Sequence, residues 1–294
     1  MRRLRRGKDG YRNEDFRMMN FTFLSENKTD NPGCDAEHGL SIYIETDEMT
    51  ILFDTGASNL FERNAERKHI DLTKPEALVI SHGHYDHTEG VPRFCEINKT
   101  APIYIHRDAF GECYGMEEDK IDKKPCSLKW SQEERKRIED RFYLTEGPLW
   151  LTDNIVISGT IPDVPGNEPT EKFFEKKADG QMVPDPMNHE QFLGIRNGEK
   201  GIFLFSGCSH KGIIPVLEYS KQLFPGEKIA GIIAGMHLFS ATDEMRKTVV
   251  GKVIAEHPTM VMPVHCTGIE AICMLKSELG DQCIVATAGN SYAY

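Results

Sequence analysis

Ser81-His82-Gly83-His84-Tyr85-Asp86-His87 follows directly on the apolar run Ala77-Leu78-Val79-Ile80. Four of these seven residues carry metal-ligating side chains, and no other segment of the chain packs so many together. In an extended chain successive side chains alternate faces, so His82, His84 and Asp86 are expected to point one way from the end of the Ala77 strand, with His87 turned to a second direction. One segment thereby serves two neighbouring ions. Neutral imidazole and carboxylate suit zinc, iron, manganese and similar borderline metals, and the segment leaves coordination positions for distant ligands and water.

Those distant ligands are sought at the ends of strands. Three later units share one plan. Ile202-Phe203-Leu204-Phe205-Ser206 runs into Gly207-Cys208-Ser209-His210 and a helix to about Leu223. Ile229 to Ala234 runs into Gly235-Met236-His237 and a helix after Ser240, and Thr259 to Val264 runs into His265-Cys266-Thr267-Gly268 and a helix ending near Gly280. In α/β sheets the loops leaving the carboxyl ends of strands converge on one edge, where ligands bind. Histidines 82, 84, 87, 210, 237 and 265 are therefore expected to meet in space, with His210 and His265 as metal ligands and His237 as a catalytic or substrate-contacting group. His38, in Glu37-His38-Gly39, is a further substrate-binding candidate, and His106 and His189 are open to a direct role. His69 and His257 read as exposed residues in or after helices.

Upstream, Leu40-Ser41-Ile42-Tyr43-Ile44-Glu45 alternates strictly and Thr50-Ile51-Leu52-Phe53 closes a hairpin. It ends at Asp54-Thr55-Gly56. A carboxylate there either caps the turn or orients a metal-binding histidine from behind. Asn197-Gly198 between Gln191–Ile195 and Ile202–Ser206 signals a second hairpin. Ser131-Gln132-Glu133-Glu134 has the capping-box pattern and opens a charged helix to about Arg141, and Asn154–Ser158 is a candidate strand.

The 294 residues, 39% of them hydrophobic, are enough for a substantial core. A formal net charge of -11 argues against a nucleic-acid or anionic-membrane binder, since both need a basic surface, and leaves a small molecule as the expected partner. No apolar run reaches the length of a membrane span, and the N-terminal charges precede no apolar h-region. The eight cysteines are scattered without a C-x-x-C pair, so reduced thiols and a cytoplasmic location are expected. Residues 1–17, with Arg2, Arg3, Arg5, Arg6 and Lys8, read as a solvated basic tail. The rest, 18–294, reads as one domain, interrupted at about 107–187 by a charged, Pro-rich variable insertion of the kind that forms lids or substrate-contacting segments.

With His82-x-His84-x-Asp86-His87, Asp54 after the early hairpin, and His210 and His265 downstream, the chain resembles the metallo-β-lactamase superfamily. Glu37-His38-Gly39-Leu40-Ser41, Phe53-Asp54-Thr55-Gly56, Gly207-Cys208-Ser209-His210, Gly235-Met236-His237-Leu238 and His265-Cys266-Thr267-Gly268 are similar to the branch named for 7,8-dihydropterin-6-yl-methyl-4-(β-D-ribofuranosyl)aminobenzene 5'-phosphate synthase. The resemblance implies an α/β fold, an αββα sandwich of two mixed sheets with helices on the outer faces. It further implies a dinuclear site in which His82, His84 and His210 hold one divalent ion and Asp86, His87 and His265 the other, zinc first, with iron or manganese as alternatives. Two departures stand out. Cys208 occupies the place where many members carry a bridging aspartate, and is a candidate to bridge, ligate or line the site. No histidine follows the Ile155 strand, where many members supply the third ligand of the first ion.

The expected activity is metal-assisted hydrolysis of a small anionic metabolite: a phosphoester, a cyclic phosphodiester or a related ester. Two cations about 3.5 to 4 Å apart activate a water, with Asp86 as ligand and proton acceptor and His237 donating to developing charge. The competing expectations are an iron-dependent redox enzyme on the same fold and a non-catalytic metal-binding sensor.

Overall fold

Alternation along each strand decides which layer a side chain joins. In the strand Ser41–Thr46, Ile42 and Ile44 face one way and Tyr43 the other; in Ile202–Ser206, Phe203 and Phe205 oppose Ile202 and Leu204. The computed structural model describes residues 18–117 and 120–294; the basic tail expected at 1–17 lies outside the described residues. It holds two large sheets. The first has seven strands in the order Ser291–Ala293, Met19–Ser25, Ser41–Thr46, Thr50–Phe53, Ala77–Val79, Ile103–His106 and Phe142–Thr145, antiparallel as far as Thr50–Phe53 and parallel beyond. The second has six, Leu149–Trp150, Ile155–Ile157, Leu193–Arg196, Ile202–Ser206, Ile229–Ala234 and Met260–Pro263, whose last three run parallel.

The sheets face each other across one apolar layer. Phe21, Ile42, Phe53 and Val79 of the first meet Ile157, Leu193, Phe205 and Met262 of the second, with the Phe21 and Phe205 rings edge to face at 5.4 Å. On its outer face the first sheet packs Tyr43, Leu52 and Leu78 against Phe61 of the helix Leu60–Arg67 and Phe94 of the helix Val91–Ile97. The second packs Leu204, Ile232 and Val261 against the helices Ile213–Leu223, Asp243–Ala255 and Ile269–Leu279. The αββα layering implied by the resemblance is the fold observed.

Several local readings hold. The capping box at Ser131 forms with both of its hydrogen bonds, although the α-helix ends at Ile138 and continues only as a 3₁₀ turn to Arg141. The Asn197-Gly198 hairpin forms too, through a 3₁₀ turn at Gly198–Lys200. Within 107–187, the strands Phe142–Thr145, Leu149–Trp150 and Ile155–Ile157 belong to the two main sheets. Cys113–Tyr114, Phe174–Lys176 and Met182–Pro184 form a separate three-stranded sheet, beside a small hairpin of Met116–Glu117 with Lys120–Ile121. The strand Ser291–Ala293, absent from the expectations, completes the first sheet beside Met19–Ser25.

At Gly231, opposite Phe203 in the parallel register, an added Cβ would lie 2.2 Å from the Phe203 ring. Gly231→Ala should therefore destabilise the fold by about 1–3 kcal/mol in urea titrations; unchanged stability would show that this layer is looser than its geometry.

Candidate metal centre

Strand ends deliver every donor. The Ala77–Val79 strand leads to His82 and to His84, which is still extended (φ -80°, ψ 149°) and serves as the N-cap residue of the short helix Tyr85–Thr88. The expected alternation thus stops at His84. Asp86 and His87 lie instead on one helical turn, fixed by bonds from His87 N (3.2 Å) and Thr88 Oγ1 (2.9 Å) to the His84 carbonyl. His210, His237 and His265 follow the Ile202, Ile229 and Met260 strands, and all three are buried.

These side chains meet. Nε2 of His82 and His210 are 3.2 Å apart, His87 Nε2 is 3.2 Å from Cys208 Sγ, and His265 Nε2 is 3.1 Å from Asp86 Oδ2. Two groups of donors, Asp86–His87–Cys208–His265 and His82–Cys208–His210, each have all their atoms within 4.8 Å of one another. Cys208 belongs to both, and to a third such group with His237 and Cys266. His38 is half-exposed and places Nε2 3.2 Å from Asp86 Oδ2. His106 bonds Thr160, His189 accepts from Gly83 N, and His69 and His257 are exposed.

The hydrogen-bond network assigns the ring protons. Asp54 accepts from Ser81 N (2.7 Å), Ser81 Oγ (2.6 Å) and His87 Nδ1 (2.6 Å). With the Ser81 hydroxyl proton committed to Asp54, His82 Nδ1 donates to Ser81 Oγ at 2.9 Å. His265 Nδ1 donates to Asn27 Oδ1 at 2.7 Å. In each ring the proton sits on Nδ1, so Nε2 turns a lone pair toward the shared space. The Asp54 carboxylate therefore stands behind the His87 ring and bonds Ser81 rather than its own turn.

Two further buried carboxylates hold the opposite wall. Glu26 accepts from His265 N at 2.6 Å, and Glu190 accepts from His210 N at 2.6 Å and Lys211 N at 2.9 Å. Asp54, Ser209, His237 and His265 all adopt left-handed backbone, φ 47° to 57°. Such conformations cost on the order of 1–3 kcal/mol each and persist where surroundings enforce them, as at functional sites.

The electrostatics favour metal binding. Burial, reinforced by neighbouring imidazoles, holds His82 and His210 well below the usual histidine range and so neutral. Burial disfavours an ionised Asp86, but the His87, His265 and His38 rings outweigh it and hold its carboxyl well below the usual range. Burial also opposes charge on His237. The Cys266 thiol and the Glu171 carboxylate, 2.6 Å from His237 Nε2, overcome this and push its pKa up to about 10. Burial and Cys266 push the Cys208 thiol up, a state that a bound cation reverses.

The donor set fits metal ions. Two nitrogens on one tetrahedral zinc, each about 2.0–2.1 Å from it, are separated by about 3.3 Å. The 3.2 Å between the His82 and His210 nitrogens matches that, and His210 Nδ1 is buried without a hydrogen-bond partner. His84 behaves differently from its neighbours. Its ring stands 4.6 Å from the His82 and His210 rings, while its Nε2 faces Cys113 Sγ at 3.4 Å, with Cys126 beyond. Sequence reasoning did not single out Cys113, Cys126, Cys266 or Glu171. Only Cys266, next to His265, carried a local signal.

Residues 34–167 match the family model for the metallo-beta-lactamase superfamily. The chain belongs to that superfamily. It is 33% identical to an uncharacterized protein of Methanocaldococcus jannaschii over 82% of this chain and 88% of the relative. It is 30% identical to 7,8-dihydropterin-6-methyl-4-(beta-D-ribofuranosyl)-aminobenzene-5'-phosphate synthase of the same organism, over 83% of this chain and 85% of that one. Among solved structures it superposes, with a TM-score of 0.78 and 27% identity over 93% of this chain and 98% of the other, on a metal-dependent hydrolase of the beta-lactamase superfamily.

Asp54→Ala removes the acceptor of the His87 and Ser81 protons. Metal affinity should fall by about 10- to 100-fold in chelator-competition titrations, with the circular dichroism spectrum retained. Undiminished affinity would show that the ligands need no such orientation.

Proposed function

We propose that the chain is a metal-dependent hydrolase of a small anionic metabolite, a phosphoester, cyclic phosphodiester or related ester. The observation that carries this reading is Cys208, whose thiol is shared by the Asp86–His87–His265 and His82–His210 donors and so supports a single centre for two ions. His82, His210 and Cys208 would hold one ion, with the His84 ring beside them, and Asp86, His87, His265 and Cys208 the other. Zinc suits this mixed imidazole, carboxylate and thiolate set. When bound, such a pair of cations supplies Lewis acidity and lowers the pKa of a bound water toward about 7.

The chain's own residues do the rest. Asp86 is kept ionised and buried, with Oδ2 3.1 Å from His265 Nε2 and 3.2 Å from His38 Nε2, and is placed to take up a proton. His237 is held protonated by Cys266 and Glu171 against its burial, with Nε2 2.6 Å from Glu171, which gives a positive charge beside the centre for an anionic substrate. A cavity of about 400 Å³ reaches His210 from the surface. Its walls include the apolar faces of Phe173 and Phe174, with Lys172 and Lys211 beside the carboxylates Asp163, Glu171 and Asp185, and Lys211 is ion-paired to Asp163 at 2.8 Å. That lining supports a substrate with a flat or apolar body, and it is the cations the site would hold that favour an anionic one.

The similarity to a synthase favours a second reading, in which the same centre orients two reactants for bond formation. Product analysis separates the two: hydrolysis incorporates solvent oxygen-18, and bond formation between two reactants does not.

Exhaustive chelation should abolish turnover on an ester and phosphoester panel, and added zinc or manganese should restore it. Turnover that survives with no metal detectable by elemental analysis would contradict a metal-dependent reaction.

A further inference from the structure

Behind His84, on the side away from the joint centre, lies a second set of soft donors. His84 Nε2 is 3.4 Å from Cys113 Sγ, and Cys113 Sγ is 3.6 Å from Cys126 Sγ. All three donor atoms lie within 4.8 Å of one another. On a tetrahedral zinc, with Zn–S about 2.3 Å and Zn–N about 2.0 Å, two sulfurs are about 3.8 Å apart and a sulfur and a nitrogen about 3.6 Å. The observed separations are within 0.2 Å of both. A disulfide would need its sulfurs at about 2.0 Å.

The backbone holds this arrangement in register. Cys126 N donates to Cys113 O at 2.8 Å, Tyr85 N to Cys126 O at 2.9 Å, and Leu128 N to Gly83 O at 2.9 Å. The three ligand-bearing segments are thus bonded to one another directly, with no dependence on the hairpin tip between the cysteines. Phe173 and Met187 close an apolar shell round the thiols, and the Phe173 ring stands 4.9 Å from that of His84. Cys113 is buried and Cys126 half-buried, so donors aimed at one point there need a cation, water or mutual hydrogen bonds.

We propose that His84 Nε2, Cys113 and Cys126 form a separate thiophilic metal site, suited to zinc or another d¹⁰ ion, with water at the fourth position. On binding, each thiol releases a proton to solvent, and His84 ligates as a neutral imidazole through Nε2 with its one proton on Nδ1. The His84 ring then serves the thiol-side ion, 4.6 Å from the His82 and His210 rings. Asp185, whose carboxylate takes a hydrogen bond from the Cys113 thiol, is the adjoining anion.

The site is tested by metal content and spectroscopy, independently of turnover. Full-length protein prepared anaerobically with a reductant and loaded with zinc should hold one equivalent more than the Cys113→Ser/Cys126→Ser variant. Cobalt(II) loading should give thiolate-to-cobalt absorption in the near ultraviolet that falls in the variant. Because the content is read as a difference, the test stands whatever the joint centre holds. Should the double variant fail to fold, alkylation of Cys126 in the wild-type chain supplies the second readout, and zinc should slow it at least tenfold. Equal zinc content in the two proteins, or zinc-insensitive alkylation of Cys126, overturns the proposal. So does an intact mass two hydrogens short with no metal gained, provided the deficit is absent from the double variant, which would identify the pair as a disulfide.

Discussion

A buried carboxylate stands behind each loop that carries metal donors, and the site depends on those three anions. Asp54 fixes Ser81 and His87, Glu26 fixes the His265 amide, and Glu190 fixes the His210 amide, all by hydrogen bonds of 2.6–2.7 Å. Charge-assisted bonds of this kind contribute roughly 1.5–3 kcal/mol each. That offsets left-handed backbone at Asp54, Ser209 and His265, which costs a comparable amount. The same carboxylates counter the positive charge that gathers when imidazoles and cations share one volume. The fold serves this arrangement by bringing two sheets face to face, with the carboxyl ends of the Ala77, Ile202 and Met260 strands on one edge.

Sulfur sets this centre apart. Cys208 touches His87 and stands in both donor groups, and Cys266 adjoins it beside His237. A thiolate in that position brings a softer, more polarisable donor than a carboxylate and biases the centre toward thiophilic ions. It also leaves Asp86 as the carboxylate that, among the described residues, joins the donor groups, with Asp54, Glu26 and Glu190 behind the loops. In the proposed reaction, the acid–base work that a second carboxylate would share is assigned to Asp86 and His237.

Much of this was legible in the sequence because each signal was local and periodic. The alternation in Leu40–Glu45, the strand-then-histidine rhythm at His210, His237 and His265, and the density of His82 to His87 gave the layers and the donors. Their limits were equally physical. The helical turn at Tyr85–Thr88 displaced the expected strand alternation because Thr88 and His87 bond back to His84. Glu171 lies in a Pro-rich loop where no period marks it, and reaches His237 only through tertiary structure. Cys113 and Cys126 are 13 positions apart and become neighbours only when the Cys113 and Cys126 backbones pair. Glu26 and Glu190 read as ordinary charged residues, since nothing in their surroundings announces that they are buried.

The central claim is that one thiolate joins two metal ions. Anomalous diffraction from zinc-loaded crystals, recorded at the metal edge, tests it most directly. Two peaks about 3.5–4 Å apart, each about 2.3 Å from Cys208 Sγ, are the predicted result. A single peak in the joint donor space, or Cys208 turned away from both ions, would contradict it.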